Sequence, residues 1–412
     1  MIEDVLFAVG LGAFFYDDQE AIRQDATNSD FLYTGLPRTP GFRAVRIPSE
    51  SLSLGLCIAN RTVLWGDMMG VQYSGAGGRD PLFDASCAEA FCREHVTPRL
   101  RSLKVDSFRA ACREVLAPVQ GRQLSRAIEY GVSQALLKLV AHRRGLTMAE
   151  VICREYGLPV IARPVPIYAQ SGDARVANVD KMILKTVNIL PHGLFNSSYK
   201  FGPAGEDFRA FARYVADRIR TIGAPDYRPI LHFDVYGLIG LEIGMNPELI
   251  ADFIASIAAE VAPLRLHVEC PADYGDRAAQ IEHYAAIATA LAARGSDARI
   301  VVDERCNTLD DIQAFADAGI GQGLIVQIKM PDVGSVADSI EAVLACKAKG
   351  VGAFLGGSCT ETEVSAAVSV HVAVATQADM MLAKPGMGVD EGLTIMGNEQ
   401  SRLLAMLGGT GL

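Results

Sequence analysis

None of the nine cysteines stands in a CxxC pair. An odd, irregular set of thiols excludes a disulfide framework and reads as reduced cytosolic cysteine, so a cytoplasmic location is expected. Long apolar runs are missing too: none reaches the roughly 18 residues that a membrane helix needs. The N-terminal stretch MIEDVLFAVGLGAFFYDDQE has acidic flanks and no basic leader, which suits a strand and not a signal peptide. Positive charge is in deficit, with 38 Lys and Arg against 48 Asp and Glu and a net charge of −10. That balance argues against nucleic acid or an anionic membrane as a partner. No low-complexity segment is present. What the chain does have is apolar residues, half of its 412 positions. That length exceeds one ordinary core, so two domains are expected.

The pattern changes once. Residues 1–160 read as an α+β unit. VLFAVGLGAFFY, SLSLGLCIA and TVLWGDMM have strand character, the last two joined by a turn at Asn60–Arg61. A glycine-rich loop follows, VQYSGAGGRDPLF at 71–83, either a plain connection or a loop that closes on a ligand. From Ser86 to Gly145 apolar residues recur every three or four positions, as in helices. Residues 161–412 instead alternate strand and helix. PIYAQ, KMILK, ILHFD, RLHVE, RIVVD, LIVQIK, VGAFLGG and MMLAK are eight candidate strands, and five helices are readable after ILHFD. The connection after PIYAQ, SGDARVANVD, looks too short for a regular helix. Eight such units predict a (β/α)8 barrel behind an α+β capping domain.

Three of these strands end in an acid: Asp234 in LHFDVYG, Glu269 in LHVECPAD and Asp303 in VVDERCNT, 35 and 34 residues apart. One strand–helix unit takes roughly 30 or more residues. The three carboxylates therefore stand at the same point of successive units, on the barrel face that carries active sites. Three hard oxygen donors suit a divalent cation, best Mg²⁺. The next strand carries Gln327 and Lys329 on one side. A lysine beside such a site is a candidate proton-transfer base. His232 and His267, two residues before a carboxylate, read as interior packing or hydrogen-bonding residues. His192, in LPHGLF after the second strand, has a place on the catalytic face and either role is open to it. Gln170 ends the first strand there. The amides of Ser358 and Cys359 in GGSCTE could hold an anion, or Cys359 could be a nucleophile, with no histidine beside it in sequence. Lys384 and Gly386 read as turn residues, and Lys181 and Lys185 as one face of the second strand.

This set of carboxylates and lysine behind a cap resembles the enolase superfamily. The motifs VQYSGAGGRDPLF, HFDVYG, ECPAD, VDERCNT, VQIKMPDVG, GGSC-x-ET and KPGMGVDEG, between residues 71 and 392, are similar to those of the methylaspartate ammonia-lyase family. The resemblance implies a homodimeric enzyme that takes a small amino-dicarboxylate, L-threo-3-methylaspartate, to mesaconate and ammonia. It implies Asp234, Glu269 and Asp303 as ligands of Mg²⁺, which stabilises an enediolate, and K⁺ as a monovalent activator. It implies Lys329 as the base at C3 and His192 as the opposite base for the erythro epimer. His192 and Gln327 would contact the carboxylate on the metal, Gln170, Ser358 and Cys359 the other carboxylate, and Gln72 the amino group. Ser358 replaces a threonine, which keeps the hydroxyl.

Three rivals remain at this point. A dehydratase or cycloisomerase would keep the fold. A Schiff-base aldolase would use Lys329 and ignore chelators. A non-catalytic barrel would bind without turnover.

Overall fold

The computed structural model describes residues 2–24, 26–29 and 31–408. Met1, read with the cap, and residues 409–412, read with the barrel, lie outside the described residues. The long strand β1 (Asp4–Asp17) is followed by a short hairpin, β2 (Thr27–Ser29) and β3 (Leu32–Thr34). Then come β4 (Arg46–Ile58) and β5 (Thr62–Met68), joined by a tight turn in which Asn60 and Arg61 have positive φ. The order β1–β4–β5 is antiparallel throughout. Leu52, Leu54 and Leu56 of the central strand are fully buried, the inward side of a period-two pattern.

The helix Arg126–Arg144 covers that sheet. Ser125 caps its start, and Gly145 ends it in the left-handed conformation. Gly66 and Gly131 let the helix and β5 approach closely; a Cβ on Gly66 would collide with the Gly131 carbonyl. A capping box, Thr147 with Glu150, starts the next helix, Met148–Tyr156.

Eight parallel strands then close a barrel: β6 (Ile167–Tyr168), β7 (Ile189–His192), β8 (Ile230–Asp234), β9 (Leu266–Glu269), β10 (Arg299–Val302), β11 (Leu324–Ile328), β12 (Gly352–Leu355) and β13 (Met380–Leu382). Each pairs with its sequence neighbours, and β13 returns to β6. The barrel interior is filled by Tyr168, Ile189, Val301, Ile325, Phe354, Met380 and Leu382. His232 lies among them, stacked on Tyr168 at 4.2 Å between ring centroids. No described helix is long and apolar enough to cross a membrane.

One predicted strand is a helix. The first four residues of KMILK lie in the helix Arg175–Leu184, which Lys185 caps, and the second barrel strand is ILPH, residues 189–192. Asn178, Val179, Met182 and Ile183 are buried while Leu184 is exposed. That is a helical repeat, which a five-residue window mistakes for alternation. Pro191, which lacks an N–H, masked the real strand. The connection judged too short for a helix is therefore most of one. Lys181 and Lys185 do not line a barrel strand; both bind Asp390 at the start of the last helix, Asp390–Met406.

At the junction of cap and barrel, Glu129 is buried and paired with Arg126 at 3.0 Å. Burial lifts its carboxyl to about 7, only partly countered by Arg126. A raised folded-state value means stability that is full at low pH and is lost as pH rises through about 7. Glu129→Gln should therefore leave stability nearly unchanged at pH 5 and raise it by roughly 1–3 kcal/mol at pH 8. Urea melts at the two pH values check this; an equal change at both would refute it.

Candidate active site

The three strand-end acids stand side by side. Asp234 and Glu269 close β8 and β9 in register with each other, and Asp303 follows β10 by one residue. His192 is the last residue of β7, not part of the loop beyond it, and Lys329 follows the end of β11. Five consecutive strands thus carry His192, Asp234, Glu269, Asp303 and Lys329. His192 and Lys329 are four strands apart in a ring of eight, so they face each other across the barrel mouth. His192 holds φ +73°, a left-handed conformation that is costly for a side chain with a Cβ and is found at sites where geometry is imposed.

Each acid is held differently. Asp234 accepts from the amide of Tyr236 at 3.1 Å, and its other oxygen lies 3.4 Å from His192 Nε2. Glu269 meets His232 Nε2 at 2.7 Å and accepts from Gln327 Nε2 at 2.6 Å. Asp303 binds Lys329 at 2.8 Å and lies 3.6 Å from Arg79. Asp234 and Glu269 are buried, and Asp303 is close to it, with its side chain 12% exposed. Burial, with Asp234 and Asp303 beside it, pushes the Glu269 carboxyl well above the usual range. Burial would do the same to Asp303, but Lys329 and Arg79 outweigh it and hold that carboxyl down. Burial favours neutral Lys329, yet Asp303 prevails and Lys329 keeps its proton more firmly than an ordinary lysine.

Among the described residues no three His, Cys, Asp or Glu side chains are gathered closely enough to hold a metal ion as they stand. Asp303 is paired with Lys329 and lies beside Arg79. The donor set nevertheless fits a hard divalent ion: three carboxylates, all oxygen donors, with Glu269 destabilised as an anion by its acidic neighbours.

The remaining three strands and the cap complete one pocket. Gln72, Gln170, Gln327, Ser358 and Cys359 line it with the five residues above, so every site residue expected from the sequence meets in one place. Tyr73, Arg79, Tyr236 and Met387 line it too. Arg79 is the addition the sequence reading missed. It reaches Asp332 at 3.1 Å and Glu304 at 3.3 Å, and burial, which opposes its charge, is outweighed by Glu304 and Asp332. Its one signal was being the only basic residue of the 71–83 loop.

His232 and His267 lie inside the barrel as expected. Burial pushes His267 down to about 3 and His232 well below its usual value, so both are neutral. Cys359 is no thiolate: burial drives its thiol well up, and it donates to Gln72 Oε1 at 3.3 Å. The Ser358 amide is already taken, donating to Glu361 at 2.8 Å, while the Ser358 hydroxyl accepts from the Gln72 amide. Lys384 is not a turn residue. It is fully buried, 2.8 Å from Glu361 and 2.9 Å from the Gly356 carbonyl. Tyr130 of the cap closes this cluster on Glu361 at 2.5 Å. A Cβ on Gly357 would strike Glu361 and Lys384, so only glycine lets the loop pass over the pair.

Comparison with known proteins bears on both domains. The family described as methylaspartate ammonia-lyase N-terminus matches residues 1–157, and the one described as methylaspartate ammonia-lyase C-terminus matches residues 159–408. The chain is 48% identical over 408 residues to methylaspartate ammonia-lyase 1 of Carboxydothermus hydrogenoformans, covering 98% of this chain and 97% of the relative. It is similar to the crystal structure of the Citrobacter amalonaticus enzyme containing (2S,3S)-3-methylaspartic acid, at 45% identity and a TM-score of 0.95, covering 99% of both chains. The Mg complex of Clostridium tetanomorphum β-methylaspartase gives 43% identity and a TM-score of 0.93, again over 99% of each chain.

Proposed function

Because the chain belongs to the methylaspartate ammonia-lyase family along nearly its whole length, we propose that it eliminates ammonia from L-threo-3-methylaspartate to give mesaconate. The observation that carries this reading is the pairing of Lys329 with the acidic row across from His192, beneath a cap loop that brings Gln72 into the same pocket.

Asp234, Glu269 and Asp303 would hold Mg²⁺. When bound, the ion supplies positive charge beside a substrate carboxylate, where negative charge grows as the neighbouring proton leaves. Lys329 Nζ, once it has shed its own proton, takes the C3 proton. The electrons of that C–H bond become the C2–C3 double bond, the C2–N bond breaks, and its pair leaves on ammonia. Lys329 ends protonated, and mesaconate keeps both carboxylates. His192, on the other wall, has the position to remove the C3 proton of the erythro epimer. Gln327 and His192 orient the reacting carboxylate. Gln170, the Ser358 hydroxyl and the Cys359 backbone receive the other. Gln72 Oε1 accepts from the substrate ammonium.

The pocket is small and polar, which suits a compact dicarboxylate and keeps water out of the proton transfer. The finer parts of this reading are a homodimer, K⁺ as activator and a cytoplasmic setting. The dimer draws support from the exposed apolar side chains Val9 and Leu11 on β1.

The test is absorbance at the mesaconate band with 3-methylaspartate, before and after chelation. Turnover that needs added Mg²⁺ is the expected result. Turnover unaffected by EDTA, or a borohydride-trapped adduct on Lys329, would favour an aldolase and overturn the reading.

A further inference from the structure

Gln72 comes from the cap, and whatever holds its amide decides which end the substrate meets. Its main chain is clamped on both sides. The amide N–H donates to Ser358 Oγ at 3.1 Å, and the carbonyl accepts from the Asp17 amide at 2.8 Å. The side chain is held by the same residue: Nε2 donates to Asp17 Oδ2 at 2.7 Å. Oε1 is thereby turned toward the Cys359 thiol and the pocket.

Asp17 is itself fixed. It is 1% exposed and gripped by Arg46, Nε to Oδ1 at 2.7 Å and Nη2 to Oδ2 at 2.8 Å. The Arg46 guanidinium is walled in by Phe14, Phe15, Phe31 and Tyr33, 4.5 to 5.8 Å from the ring centroids. Bidentate pairing of this kind fixes geometry as well as charge.

A carboxylate accepts hydrogen bonds and never donates. It therefore admits one orientation of the Gln72 amide: NH₂ toward Asp17, carbonyl toward the pocket. An ammonium group has only donors and needs that carbonyl. The reversed amide would set donor against donor. We propose that Asp17 is a positioning residue that makes the pocket select an amine, acting through the direction of the Gln72 amide without touching substrate. This rests on the reading above that an amino-dicarboxylate binds with its amine toward Gln72.

The test uses the purified full-length enzyme and two numbers: KM for 3-methylaspartate, and the inhibition constant of mesaconate, which has no amine. Asp17→Asn lets the two amides turn together, so Gln72 loses its fixed sense. KM should rise roughly 10–100-fold, the scale of one hydrogen bond to a charged group, while mesaconate inhibition changes by less than about threefold. Gln72→Ala sets the scale of complete loss. The swap Asp17→Asn with Gln72→Glu offers the amine an acceptor whichever way residue 72 turns, and should restore a ratio of the two constants close to wild type. The swap is read by itself if the single variant does not fold. Parallel loss of both ligands in Asp17→Asn, an unchanged KM, or a swap whose ratio stays raised tenfold or more would each overturn the inference. Normal wild-type turnover beside such a result sinks this inference alone. No wild-type turnover sinks the proposed function and the inference with it.

Discussion

Lys329→Ala is expected to abolish ammonia release from L-threo-3-methylaspartate and to stop exchange of its C3 proton in D₂O. Lys329 sits at one end of the acidic row, 2.8 Å from Asp303, with His192 at the other end, four strands away around the ring. Each group can reach only the hydrogen on its own side of C3. Positioned acid–base groups contribute typically ~10²–10⁴-fold. His192→Ala should spare most threo turnover, losing some through the carboxylate contact, and should fall chiefly on the erythro epimer. Both epimers followed in D₂O with both variants separate the cases. Wild-type exchange of the threo C3 proton by Lys329→Ala would show that the base is elsewhere. Equal loss of both epimers in both variants would show that the two residues act as one unit.

Asp303→Asn is the second large effect. The carboxylate has two jobs in this geometry: it binds Lys329 and Arg79, and it belongs to the row proposed to hold Mg²⁺. The amide keeps the shape and removes the anion. Turnover should be lost while the melting transition persists, since the site is at the barrel mouth and not in its packed interior. Calorimetric titration should show weakened Mg²⁺ binding, and excess Mg²⁺ should restore part of the activity. Near-normal activity of the variant in metal-depleted buffer would rule out the acidic row as a metal site.

Much of this site could be read before the structure because barrel geometry turns sequence spacing into position. Acids at the ends of β8, β9 and β10 recur at the length of one βα unit, and that alone puts them side by side. Gln327 and Lys329 follow from strand alternation. The errors have equally local causes. KMILK satisfied a strand window and a helix window at once, and burial of Met182 and Ile183 beside exposed Leu184 decided for the helix. Pro191 hid the strand that carries His192. Arg79, Asp17 and the Glu361–Lys384–Tyr130 cluster were out of reach for another reason. Their partners lie in the other domain or far along the chain, and no periodicity links them. Lys384 in particular looked like a turn residue because a charged side chain next to Pro and Gly usually is one. Nothing in its neighbours announces a carboxylate waiting 23 positions earlier.

The barrel is wound once, so order along the chain is also order around the pocket. His192, Asp234, Glu269, Asp303, Lys329, the Ser358–Cys359 loop and Met387 follow one another like hours on a dial, with Gln170 closing the circle. Each sector is delivered by its own βα unit. A change in the length or sequence of one connecting loop is therefore confined to one arc of the wall, and neighbouring arcs keep their registers through strand pairing. The cap is the exception, because its 71–83 loop reaches Asp303, Asp332 and Ser358, which lie on three different arcs. Variation can accumulate arc by arc around the barrel, but the cap loop must change in step with three arcs at once, which makes it the slowest part of the wall to diversify.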